Sequence, residues 1–154
     1  MADVGDDRTE AVQSLEASFS ELMTAFRRHI GEAAERVSPG MLPGTFKVLS
    51  SVFRLGPVTL SVLAERLTAD KGLTSRSVTE LEELGLITRT EDPSDRRSRL
   101  IAVTPLGEAR LAEARAPHEG RLFTVLENWS VNDIRRFTVL VHSLATGETP
   151  PTHD

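Results

Sequence analysis

Apolar positions along the chain change their spacing twice, and those changes divide it into elements. Between Thr9 and Val37 the apolar residues are Val12, Leu15, Phe19, Leu22, Phe26, Ile30, Ala33 and Val37. Steps of three and four residues sustained this far predict one long amphipathic helix with a single apolar stripe. Ser38-Pro39-Gly40 stops it. A shorter helical pattern over Pro43–Leu55 carries Phe46, Val48, Leu49, Val52 and Phe53 and ends at Gly56-Pro57. Thr59, Leu60 and Ser61 then open a short helix, with hydroxyls for the cap and Leu63, Ala64 and Leu67 facing inward. After Thr68-Ala69-Asp70, a further helix runs from about Lys71 to Leu84, and Gly85 terminates it as a left-handed residue.

Beyond Gly85 the period shortens. Residues 86–90 and 99–103 are β-branched and partly alternating, which predicts two strands. The polar stretch 91–98 joins them as the turn of a hairpin. Thr104-Pro105 restarts helix, with a capping hydroxyl and proline at the first position. That helix is expected to run towards Asn128 with a bend near Pro117. Ser130 and Asp133 cap a last helix bearing Val131, Ile134, Phe137, Val141 and Leu144. Residues 1–8 and 147–154, polar and poor in apolar groups, are expected to be disordered.

Composition adds bounds. The chain has 154 residues, 39% of them hydrophobic and 27% charged, as expected for a soluble domain with a real core. No apolar run approaches the roughly 18 residues of a membrane helix, and the acidic start MADVGDDRTE does not read as a signal peptide, so a cytoplasmic location is expected. The absence of cysteine excludes disulfides, thiolate metal sites and thiol redox sensing. His29, His118, His142 and His153 include no pair at helical ligand spacing, and no metal is expected. There is no nucleophile elbow and no phosphate-binding glycine loop, so an enzyme is not expected.

The net charge of −5 argues against a nucleic-acid partner until its distribution is considered. Residues 66–99 are balanced, with seven basic side chains (Arg66, Lys71, Arg76, Arg89, Arg96, Arg97, Arg99) against seven acidic ones. Four of the seven bases surround the predicted hairpin.

Helix, short helix, turn, second helix and hairpin is the order of a winged helix-turn-helix. The segment Leu60-Ser61-Val62-Leu63-Ala64-Glu65-Arg66-Leu67, then Asp70-Lys71, then 81–87 (LEELGLI), resembles the MarR family of bacterial transcriptional regulators. The wing signature Asp92-Pro93-Ser94-Asp95-Arg96-Arg97 and the closing Thr104-Pro105-Leu106-Gly107 complete the resemblance. It implies a mainly α fold with a small β-hairpin wing. Residues 41–104 would form the DNA-binding domain, and 9–37 with 105–146 a helical dimerisation region. The implied partners are double-stranded DNA and a second copy of the chain, with no membrane. A protein-interaction module that kept the winged fold without strong DNA binding is the alternative.

Helical geometry puts Thr74, Val78 and Leu81 on the inward side of the second helix. Lys71, Gly72, Leu73, Ser75, Arg76 and Thr79 become candidate DNA contacts, because a recognition helix enters the major groove by its N-terminal part. Gly72 lets the backbone approach DNA, and Leu73 can pack on a thymine methyl or cover the edge of the core. In the wing the candidates are Asp95, Arg96, Arg97 and Arg99. The resemblance implies that Asp95 pairs with a nearby arginine while another arginine reaches a minor groove. Glu80 stands where the family commonly has a basic residue, and with Glu82 and Glu83 it is expected to repel phosphate. The family also implies a small aromatic or phenolic effector, and Phe19, Met23, Phe26, Phe46, Phe53 and Trp129 are the candidate lining. No other cofactor is expected.

Overall fold

A computed structural model describes residues 4–151. The chain forms two compact units, residues 1–116 and 117–154. The first contains α1 (Val4–Val37), α2 (Pro43–Leu55), β1 (Val58–Thr59), α3 (Leu60–Leu67), α4 (Lys71–Glu83), β2 (Ile87–Asp92), β3 (Asp95–Val103) and α5 (Pro105–Arg115). The second contains α6 (Arg121–Val125) and α7 (Val131–Thr146).

Helix α1 starts at Val4, so residues 4–8 are helical and not disordered as their composition suggests. Asp6 and Asp7 in its first turn face the positive end of the helix dipole, which offsets their poor burial. Residues 1–3 and 152–154, at the ends of the two expected tails, lie outside the described residues. At 1.5 Å per residue α1 is about 51 Å long, and its own unit covers only the C-terminal part. Ala33, Ala34 and Val37 are buried, whereas Val12, Leu15, Leu22, Met23 and Phe26 are exposed.

The core is made where α2, α3, α4, the sheet and α5 converge. Leu49, Leu63, Leu81, Ile101 and Leu111 are its largest fully buried side chains. Helix α2 begins with Pro43 at its first turn and ends at Gly56, whose φ of +74° an L side chain rarely adopts. Thr59 caps α3, its hydroxyl accepting from the Val62 N–H at 3.4 Å. Asp70 caps α4, its carboxylate accepting from the Leu73 N–H at 2.9 Å.

The end of α4 is closed by two reversed hydrogen bonds. Gly85 N donates to Glu82 O and Leu86 N donates to Leu81 O, both at 2.9 Å, with Gly85 at φ +70°. The chain is thereby turned straight into β2. Thr104 ties the far end of the hairpin to the same point: its hydroxyl donates to Gly85 O at 2.6 Å and accepts from Gly107 N at 3.1 Å. Gly107 packs so closely there that a Cβ would collide with the Leu86 carbonyl. The Thr104-Pro105-Leu106-Gly107 motif is thus a cap and a clasp together.

Two features of the sheet differ from expectation. It has three strands in the order β1-β3-β2, because Val58 and Thr59 pair antiparallel with Ile101 and Leu100. A two-residue strand leaves no period to read. The hairpin strands are also longer than predicted, since Asp92 pairs with Asp95 across a loop of only Pro93 and Ser94. The register shifts between Glu91, opposite Arg99, and Asp92, opposite Asp95, so that residues 96–98 of β3 form an irregularity.

In the second unit the expected long helix is broken. Helix α5 ends at Arg115, a 3-10 turn spans Ala116–His118, and Gly120 at φ +76° precedes α6. Proline at 117 and glycine at 120 are together too much for a continuous helix. Ser130 caps α7 as expected, accepting from Asp133 N at 3.0 Å and donating to the Asp133 carboxylate at 2.7 Å.

Candidate nucleic-acid interface

Helix α4 presents three sides. Thr74, Val78 and Leu81 are buried, as the 100° period requires. Thr74 is the polar member, and its hydroxyl donates to Asp70 O at 2.9 Å, so this buried hydroxyl is satisfied. Lys71, Gly72, Leu73 and Arg76 are exposed and Ser75 is half-buried. Leu73, 60% exposed, is on the surface and does not cover the core edge. At Gly72 the Asp70 carboxylate lies 3.0 Å from where a Cβ would stand, so the missing side chain makes room for the cap.

A cleft of about 290 Å³ separates the start of α3 and α4 from the wing. Lys71 and Ser75 line it from the helix side, Arg97 and Arg99 from β3, and Arg89 from β2, with Ser61 at the head of α3. Four cations and no carboxylate face this space. In a chain of net charge −5, this is a local concentration of the opposite sign. Lys71 is held in place by donating from Nζ to the Ser61 hydroxyl at 2.9 Å.

The wing tip is fixed by its own acids. Asp92 accepts from the Ser94 N–H at 2.8 Å and the Ser94 hydroxyl at 2.6 Å. The Ser94 hydroxyl bond, with backbone donors from Ser94 and Asp95, holds the Asp92 carboxyl below the ordinary carboxylate range. Asp95 accepts from the Arg97 backbone N–H at 3.0 Å. Among the described residues no ion pair joins Asp95 to an arginine, which corrects the expected side-chain pairing: a short carboxylate in a tight turn reaches backbone donors first. Arg96 and Arg97 accordingly stand just past the tip on β3, both exposed, with Arg97 on the cleft.

Two of the three acids of α4, Glu80 and Glu82, have side-chain partners within the domain, while Glu83 is exposed. Glu80 accepts from the hydroxyl of buried Thr45 on α2 at 2.9 Å, and that hydroxyl also approaches Ser77 at 3.3 Å. Glu82 Oε2 lies 3.3 Å from Arg89 Nε. Thr79 is occupied as well, donating to Ser75 O and accepting from Arg89 Nη2, both at 3.0 Å. Thr45, Ser61 and Arg89 were not candidates from the sequence. Arg89 was visible there only as one base among seven, and nothing in a linear pattern shows which side chains meet across 10 or 35 residues.

Five of the six candidate effector-lining residues belong to the first unit and Trp129 to the second. Phe46 is a core side chain, 8% exposed, and does not line a binding surface, because the inward side of α2 packs into the domain. Phe53 lies beneath the Arg115 guanidinium, 5.1 Å from ring centroid to Cζ. Met23 and Phe26 are exposed and Phe19 half-buried along α1. Trp129, in the second unit, packs edge-to-face against Phe137 with centroids 5.8 Å apart.

Comparison with known proteins gives a consistent result. Residues 43–98 match the MarR family model. An HTH-type transcriptional regulator of Bacillus subtilis, YxaD, is 29% identical over 80% of this chain and 87% of its own length. The Streptococcus pneumoniae FabT structure, in complex with DNA, superposes with a TM-score of 0.77 at 18% identity, covering 88% of this chain and 95% of that one. A mutant MarR of E. coli complexed with operator DNA gives 0.66 at 21% identity over 93% and 99% of the two chains. At these identities the structural matches show a shared fold. No helix among the described residues is long and apolar enough to cross a membrane.

Proposed function

We propose that the chain is a winged-helix transcriptional regulator of the MarR type and not an enzyme, as the match of residues 43–98 and the likeness to YxaD support, and that it is a sequence-specific, DNA-binding repressor. It acts in the cytoplasm as a homodimer on a palindrome whose half-sites lie about one helical turn apart. The observation that carries this reading is the cleft of four cations beside the exposed N-terminal half of α4. On this reading Arg76, outside the cleft, reads a base edge or holds a phosphate, Gly72 and Leu73 meet the groove wall, and Arg96 and Arg97 follow the neighbouring minor groove.

A second copy is needed because one recognition helix reads too few base pairs. The apolar residues left exposed along α1, and Leu122, Phe123, Phe137 and Leu144 exposed on α6 and α7, are the surfaces it would cover. A small aromatic acid is the proposed releasing ligand, with Phe19, Met23 and Phe26 of α1 as its first candidates. The interaction-module alternative rests on the acidic net charge and on Glu80, Glu82 and Glu83; of these, Glu80 and Glu82 have partners in Thr45 and Arg89.

The test is footprinting on the DNA preceding the protein's own coding sequence, with and without phenolic acids. Paired, two-fold related protection is expected. Absence of any protection at low salt would favour the interaction module.

A further inference from the structure

We propose that Arg89 is a positioning residue that clamps the wing to the recognition helix, and that Glu82 therefore supports specific DNA binding although its charge opposes it. This rests on the DNA-binding reading above.

Arg89 stands on β2, opposite Ile101 of β3, at the inner part of the hairpin. Its guanidinium leaves the strand and reaches two residues one turn apart on α4. Nη2 donates to the Thr79 hydroxyl at 3.0 Å, and Nε lies 3.3 Å from Glu82 Oε2. Residues 79 and 82 are three apart, so both face one neighbour. The Arg89 side chain is only 30% exposed and Glu82 42%, so the pair is partly withdrawn from screening solvent. Only the Thr79 contact has hydrogen-bond geometry; the buried Nε makes no hydrogen bond, so Glu82 acts on the guanidinium through its charge at 3.3 Å.

The consequence concerns the relation between the two reading parts. Thr79, taken from the sequence as a DNA contact, has its hydroxyl spent on Ser75 O and Arg89. With Glu80 turned to Thr45, the C-terminal half of α4 is a seat and the N-terminal half is the reader. The wing and the recognition helix must present Arg76 and Arg97 to the duplex in one fixed register. Arg89 sets that register from the side of the cleft away from the tip. A carboxylate on a recognition helix would by simple electrostatics weaken binding to phosphate. Here it holds the guanidinium that holds the wing.

The experiment compares wild type, Glu82→Gln, Thr79→Val and Arg89→Met. The probes are a duplex selected by the wild-type protein from a random-sequence pool and an unrelated duplex of equal length. If Glu82 positions Arg89, Glu82→Gln and Thr79→Val each weaken the selected duplex by roughly three- to tenfold. Arg89→Met weakens it by roughly tenfold or more. Neither Glu82→Gln nor Thr79→Val weakens binding to the unrelated duplex, and the double variant Glu82→Gln/Arg89→Met is no worse than Arg89→Met alone. Tighter binding of Glu82→Gln to both duplexes, as charge removal alone dictates, would overturn the proposal. So would equal weakening on both duplexes in Arg89→Met with a shallower salt dependence, the behaviour of a residue that touches phosphate directly.

A second arm needs no DNA: amide hydrogen exchange along β2 should accelerate in both Arg89→Met and Glu82→Gln. Unchanged exchange there would sink the clamp by itself. If the wild-type protein selects no duplex, the regulator reading fails while the exchange arm still decides whether the clamp exists.

Discussion

The foot of the winged-helix domain and its outer edge are formed by the same helix and the same hairpin, yet they are held by different forces. At the foot, Leu81, Leu86, Ile87 and Ile101 are buried, Gly85 closes the helix, and Thr104 and Gly107 pin the hairpin to that closure. At the edge, Leu73, Arg76, Arg96 and Arg97 are exposed, and the tip is shaped only by Asp92 and Asp95 bonding to their near neighbours. Burial makes the foot stable and leaves it no free group with which to recognise anything. Exposure makes the edge available, and it contributes almost nothing to folding. Between them lies the seat, where buried Thr45 bonds to Glu80 and Arg89 meets Thr79 and Glu82. Stability and recognition are therefore separable by mutation.

The largest effects should fall at the foot. Leu81→Ala removes a side chain with no exposed surface and should cost about 2–5 kcal/mol in chemical denaturation. Gly107→Ala should be comparably damaging, because its Cβ meets a backbone carbonyl that cannot rotate away. If either variant melted like the wild type, the foot would not be the stabilising region.

At the edge, Arg76→Ala should leave stability within about 0.5 kcal/mol while costing roughly 1–3 kcal/mol of specific binding in gel-shift titrations. A change in melting without a change in binding would invert the comparison. Neutralising Arg96 and Arg97 in turn should be milder. Each should lower affinity for all sequences alike and reduce the slope of log K against log salt by about one for every phosphate that is no longer neutralised. Measuring both separately also decides whether Arg97, which faces the cleft, contributes more than Arg96.

The smallest effect concerns the tip. Asp92 has a lowered pKa, so what its ionised form adds to the tip is present at neutral pH and above the ordinary carboxylate range. It is lost as pH falls through the lowered value. Ser94→Ala removes the principal cause, and a carboxyl NMR titration should find Asp92 moved back up towards 3.8. An unmoved titration would mean that the backbone donors alone hold the turn.

What the sequence determined by itself was whatever depends on spacing along one element. The 3.6-residue period located α2, α3 and α4 and their buried sides, the hydroxyl and carboxylate caps marked the starts, and Gly85 marked a stop. These are local physics: a helix end must satisfy its backbone within a turn, and an apolar stripe must face somewhere. The wing motif located the tip, though not its two-residue loop, and the long-range pairing of β1 with β3 was invisible.

Tertiary structure alone decided where polar side chains spend their hydrogen bonds. Thr79 looked available and is engaged by Arg89; Glu80 looked repulsive and is held by Thr45; Asp95 looked destined for a guanidinium and takes a backbone N–H. Phe46 looked like a lining residue and lies in the core. Each of these outcomes depends on which flexible polar or apolar group arrives closest in three dimensions. Helix period and capping chemistry carry no information about that, because they act within a few residues, whereas Thr45 and Glu80 meet across 35 positions of chain.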